Sequence, residues 1–150
     1  MLAGMTVAPE EAALAAAVGF DYVELSGKAV AAMPEDAFAS LMQTLAHAGI
    51  PCLGLNACCP AEVTIAGPGF DPQAADRYAR ALARRAEALG VRVIGVGSPL
   101  SRRLPPGYPS GRARTEATAF LRILRDRTAG AGVTVCVEAL ADCYCNFVNT

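Results

Sequence analysis

An α/β fold built on a parallel sheet is predicted by three observations. A junction of helix tail, glycine and short apolar run recurs four times, as AAAVGFDYVEL, LAHAGIPCLGL, AEALGVRVIGV and TAGAGVTVCVE. The junctions follow one another at roughly 30 to 40 residues, the length of a βα unit. The runs themselves are mostly apolar rather than strictly alternating, as strands covered on both faces read.

The elements follow in order. A strand remnant before Thr6 and a helix ending at Gly19 precede the first clear strand, Tyr22 to Leu25. Pro34, Glu35 and Asp36 open a second helix, whose apolar face carries Phe38, Leu41, Met42 and Leu45. Acidic residues suit the positive end of a helix dipole, and His47, near the other end, suits the negative one. Gly49 closes this helix, and Pro51 stands just ahead of the strand Cys52 to Leu55, where its missing amide removes no interior ladder bond. Asp71 caps a third helix with Pro72 at its first position, and Ala75, Tyr78, Ala79, Leu82, Ala86 and Leu89 form one stripe. Gly90 then leads into the strand Arg92 to Val96. Pro105, Pro106 and Pro109 break any helix in the segment that follows, so Ser98 to Pro109 is expected to be an irregular loop. A fourth helix, about Arg112 to Thr128, buries Ala117, Phe120, Leu121 and Leu124, and Gly132 turns it into the strand Thr134 to Val137.

Two architectures fit strands that alternate with helices: a doubly wound sheet and a (β/α)8 barrel. A dinucleotide-binding sheet wants a glycine fingerprint that opens into a helix, and GVGSPL at Gly95 runs instead into the proline-rich segment. The barrel is therefore favoured. Such a barrel takes about 250 residues, whereas this chain has 150. Residues 1–150 are expected to form a single incomplete domain, a partial (β/α)8 TIM barrel truncated after about strand 5.

Composition excludes several function classes. Hydrophobic residues make up 53% and charged ones 18%, enough apolar content for a packed core. A net charge of -1 offers no general attraction for nucleic acid or an anionic membrane. The longest apolar run, Ala12 to Phe20, is too short to span a bilayer, and Glu10 and Glu11 stand where a secretory signal would carry its basic start. The expected setting is cytoplasmic, with a small-molecule partner, no nucleic acid and no membrane. Unpaired sheet edges would permit a homo-oligomer. The six cysteines read as reduced thiols, Cys52 and Cys136 as buried strand residues, and Cys58, Cys59, Cys143 and Cys145 as loop residues. Their spacings differ from the paired Cys-x2-Cys of zinc sites.

Active sites of such barrels lie at the carboxyl ends of the strands. The residues there are Glu24 and Ser26, Asn56 to Pro60, Gly97 to Arg103, and Glu138 onward. Glu138 leaves an apolar strand at the barrel mouth, where an ionised carboxylate needs a cation, a donor or water. It is either a divalent-metal ligand or a strand-end carboxylate paired with an arginine or an amide. Glu24 has the same two readings. Asn56 either orients a substrate hydroxyl or caps a turn. Ser98, Arg102 and Arg103 are candidates for holding an anionic or polyhydroxylated ligand, against a plain solvated loop.

GFDYVEL, GIPCLGLNACCP, LGVRVIGVGSP, the RRLPPGYP loop and VTVCVEAL…NFVNT, in that order, resemble the sugar phosphate isomerase/epimerase group with xylose-isomerase-like barrels, the last most similar to its ketose 3-epimerase branch. The resemblance implies that Glu138 matches a family glutamate, one of four ligands to a divalent ion such as Mn, Mg or Co. It implies isomerisation or epimerisation beside a sugar carbonyl through an enediolate, with Glu138 also an acid/base. The remaining ligands, an aspartate, a histidine and a second glutamate, lie on later strands in the family. EALA and CYCN depart from the family's Glu-Pro-Leu-Asn and Tyr-Glu-Thr-Asn at Ala139, Ala141 and Tyr144. Two alternatives stand beside this reading: a metal-dependent endonuclease-like barrel, which would want several histidines and a positive face, and a non-catalytic half-barrel.

Overall fold

The structure, a computed structural model, describes residues 1–149. Strands β1 (Gly4–Thr6), β2 (Tyr22–Ser26), β3 (Cys52–Asn56), β4 (Val93–Val96) and β5 (Thr134–Val137) lie side by side in sequence order, each pair parallel. Between them run helices α1 (Ala12–Ala17), α2 (Gly27–Ala32), α3 (Glu35–Ala48), α4 (Pro72–Leu89), α5 (Pro99–Arg102) and α6 (Ser110–Thr128). Sequential parallel strands with helical crossovers are the layout of a TIM barrel, of which this is a part.

The sheet has two unlike faces. Val23 and Leu25 on β2, Cys52 and Leu55 on β3, and Ile94 and Val96 on β4 are all buried. The helices pack here, adding Phe38, Leu41, Leu45, Ala79, Leu82, Ala86, Ala117, Phe120 and Leu124 to one continuous core. Because strand side chains alternate, this burial sends Thr6, Glu24, Asn56, Gly95 and Cys136 to the opposite, open face. A register irregularity between Val23 and Glu24 lets Leu53 be passed over, so that Glu24 pairs with Gly54.

Helix ends behave as their residues require. Asp71 caps α4 by accepting from the Gln73 amide at 2.8 Å, and Gly90 ends it at φ 72°. Arg85, buried on α4, donates to Glu35 at 2.8 Å and to the Met33 carbonyl at 2.9 Å while its guanidinium lies over the Phe38 ring. Arg127 donates to Asp76 at 2.6 Å, joining α6 to α4. No helix of the described residues is long and apolar enough to cross a membrane.

Three expectations need correction, and one element, α2, has no counterpart among them. The segment Ser98 to Pro109 is not wholly irregular: Pro99 starts the short helix α5, a position where its fixed φ and missing amide are harmless. Helix α2 follows β2 directly, unmarked by any apolar stripe longer than its one and a half turns. Cys136 is exposed, because β5 is an edge strand and its open-face side has nothing over it. The outer strands are also uncovered on the helix side, leaving Met5 45% and Val137 46% exposed.

Phe120 is fully buried between sheet and helices. Phe120→Ala should cost about 3–5 kcal/mol, read as a lowered urea midpoint with little change in slope.

Candidate functional site

All five strands end at the same side of the sheet, and there the open face forms a cleft of about 500 Å³. Thr6, Glu24, Asn56, Gly97, Ser98 and Glu138 line it, along with Cys136 and Leu140. Strand parity explains the membership: Thr6 pairs with Glu24, Ser26 with Asn56, and Gly95 with Cys136, each on the open face. Glu138 continues the same alternation two residues beyond Cys136.

On the β1 side, the Asn56 amide donates to the Thr6 hydroxyl at 2.7 Å, and that hydroxyl lies 3.4 Å from Glu24 Oε2. Asn56 therefore organises the strand ends rather than capping a turn. Glu24 lies across β3 because residue 54 is glycine: a Cβ there would come within 2.8 Å of its side chain. Thr6 escapes a reading of the sequence, since a three-residue strand shows no alternation; the tripeptide GMT holds the only signal, glycine and threonine two apart.

On the β5 side, the Glu138 amide donates to the Val96 carbonyl at 3.2 Å. Its carboxylate is exposed and makes no hydrogen bond or ion pair among the described residues. It lies against residue 97, where a Cβ would meet Oε2 at 2.3 Å. Gly97 thus provides a seat for this carboxylate. A hard oxygen donor held open at a cleft mouth suits a divalent ion of the Mg or Mn type. Among the described residues no group of three His, Cys, Asp or Glu side chains could hold a metal ion.

Ser98 lines the cleft in a left-handed conformation, φ 36°, and its hydroxyl oxygen accepts from the Cys59 amide at 2.9 Å. Arg102 and Arg103 do not line the cleft. Arg102 is 1% exposed and donates to the Glu138 carbonyl at 2.7 Å. Arg103 is exposed and donates to the Tyr144 carbonyl at 2.6 Å. Leu104 and Asn146 complete the link, amide to Oδ1 at 3.0 Å and Nδ2 to carbonyl at 2.9 Å. The segment after β4 thereby fastens the segment after β5.

The β3–α4 loop is fastened to the same segment. The Ile65 amide donates to the Ser101 carbonyl at 2.6 Å, and the Ser101 hydroxyl donates to the Pro60 carbonyl at 2.8 Å. Cys58 and Cys59 are buried with sulfurs 3.4 Å apart; the hydrogen bond between them and burial together push the Cys59 thiol up. Tyr78 donates its hydroxyl to the Cys58 carbonyl. Buried on α6, Glu116 accepts from the Gly67 amide at 2.9 Å, the Tyr108 hydroxyl at 2.8 Å and Arg112 at 2.9 Å. Desolvation pushes its carboxyl up, but these donors prevail and hold it below the usual glutamate range.

Fold and cleft together define a parallel barrel architecture with polar groups gathered at the strand carboxyl ends. A family model described as xylose isomerase-like TIM barrel matches residues 12–150, and the chain belongs to that family. Among solved structures it is similar to a D-psicose 3-epimerase determined in the presence of D-fructose, at 15% identity and a TM-score of 0.79, over 100% of this chain and 56% of that one. It is similar to the D-psicose 3-epimerase of Clostridium cellulolyticum H10 determined with D-tagatose, at 19% identity and a TM-score of 0.78, with the same coverages. An AP endonuclease, family 2, from Brucella melitensis is also similar, at 21% identity and a TM-score of 0.70, over 93% of this chain and 56% of that one. The chain thus spans 56% of the length of each. No curated protein matches the sequence significantly.

Two outcomes follow. Gly97→Ala should leave the melting temperature nearly unchanged, because the clashing atom is the far end of a flexible side chain, while displacing the Glu138 carboxylate in a crystal structure. A carboxyl held low stabilises the fold above its unfolded value, about 4.3, and that contribution disappears as pH falls through the lowered value. Glu116→Gln should therefore flatten the acid limb of the stability curve, and hydrogen exchange around Gly67 should rise on acidification in the parent chain and much less in the variant.

Proposed function

We propose that this chain supplies the first half of the active site of a metal-dependent isomerase or epimerase acting on a sugar or sugar phosphate. One observation carries the reading: the Glu138 carboxylate, without a partner among the described residues, is seated on Gly97 at the mouth of the cleft. Glu138 would hold a divalent ion, Mn, Mg or Co. Such an ion, when bound, polarises a sugar carbonyl and so acidifies the adjacent carbon. Asn56, with Thr6 and Glu24 behind it, offers donors and acceptors to sugar hydroxyls, and the Ser98 wall bounds the ligand on the other side. Glu138 also serves as one acid/base for proton transfer through an enediolate, its partner carboxylate belonging to the strands that complete the barrel. The absence of lysine or arginine from the cleft lining among the described residues favours a neutral sugar ring here over a nucleic-acid backbone.

A hard divalent ion takes about six oxygen ligands, so one carboxylate holds it weakly. This chain alone is accordingly expected to self-associate through its β1 and β5 edges and to turn over no sugar. Extending it to a full barrel should give manganese-dependent epimerisation of a ketose, followed by chromatography of the sugar products. Glu138→Gln in that longer protein should abolish the reaction. Unchanged turnover in Glu138→Gln would refute the assignment.

A further inference from the structure

Arg102 is the least expected side chain in the structure. It is a cation with 1% exposure, it has no ion-pair partner within reach among the described residues, and its Nε is buried without an acceptor. Burying a charge costs stability unless it is paired, and an orphaned buried donor adds to that cost. An apolar side chain of similar volume would pack here at least as well. What the guanidinium gains is one charge-assisted bond, from Nη2 to the Glu138 carbonyl.

We infer that Arg102 is a positioning residue for Glu138: it fixes the peptide from which the carboxylate projects, and its own side chain never meets the sugar. This rests on the reading of Glu138 as a metal ligand. The Glu138 peptide is held on both flanks, its amide on the Val96 carbonyl and its carbonyl on Arg102. With backbone direction fixed from two sides and Gly97 receiving the oxygens, the side chain has little choice of where to point. Strand β5 ends at Val137, so the carbonyl of Glu138 is held by Arg102 rather than by the sheet. Metal ligands owe much of their affinity to such outer partners, whose loss typically costs 10–100-fold.

The test uses Mn2+ and the chain extended to a full barrel, with free Mn2+ followed by electron paramagnetic resonance. Glu138→Gln measures how much of the binding belongs to Glu138. Arg102→Met should weaken that Glu138-dependent part about tenfold, and Arg102→Lys should restore some of it. The urea midpoint of Arg102→Met should stay unchanged or rise, because the cost of burying the charge is gone. Hydrogen exchange at Glu138 and Ala139 should accelerate in Arg102→Met. A fall in the urea midpoint with Glu138-dependent binding and local exchange both unchanged would overturn the inference and make Arg102 an ordinary structural residue. Should Arg102→Met fail to fold, Arg102→Leu, which likewise removes both the donor and the charge, is read the same way. If Glu138→Gln leaves Mn2+ binding unaltered, the metal reading fails on its own; the positioning role then stands or falls on the exchange at Glu138.

Discussion

Strand parity is the constraint on which the rest of this structure depends. Val23, Leu25, Leu55, Ile94 and Val96 must lie beneath the helices, since exposing them would forfeit the core. With side chains alternating at every residue, that single requirement directs Glu24, Asn56, Cys136 and Glu138 to the other face. A slip of one residue in any strand would exchange the two sets. The polar cleft is thus a by-product of hydrophobic burial, and the irregularity in β3 that passes over Leu53 is what keeps Glu24 and Asn56 in phase.

Glycine completes what parity begins. Large side chains at positions 54 and 97 would occupy the volume that Glu24 and Glu138 now use, so two carboxylates lie on the sheet instead of standing away from it. The loops then close round them through polar bonds between neighbouring βα segments. The segment after β4 is the hub, reaching the β3–α4 loop through Ser98 and Ser101 and the segment after β5 through Arg102, Arg103 and Leu104.

Much of this was legible in the sequence, and the reasons differ from residue to residue. The four glycine junctions mark real helix-to-strand turns because only a left-handed residue leaves a helix so abruptly; Gly49, Gly90 and Gly132 all have φ near 70°. Glu138 was legible because a carboxylate ending an apolar strand has few other places to be. Helix α5 was not, since proline breaks a helix in its interior and starts one at its edge, and SPLSRRLPP contains both situations. Cys136 reads as buried from its neighbours Val135 and Val137, yet exposure is decided by where the strand stands in the sheet, which local pattern does not encode. Arg102 misleads for a similar reason: SRR resembles a solvated loop, and only the tertiary fold brings the Glu138 carbonyl to it.

The strands pair in the order in which they are joined, so each new strand docks beside the one just before it. During synthesis, β2 finds β1 already made, β3 finds β2, and no strand waits for a partner far downstream. Loop closure then stays short at every step, which limits its entropic cost and the time for which an apolar edge is bare. The sheet is suited to assembly by accretion as it leaves the ribosome, with a single growing edge. By the same logic β1, the first of the described strands, keeps its other side unpaired among the described residues.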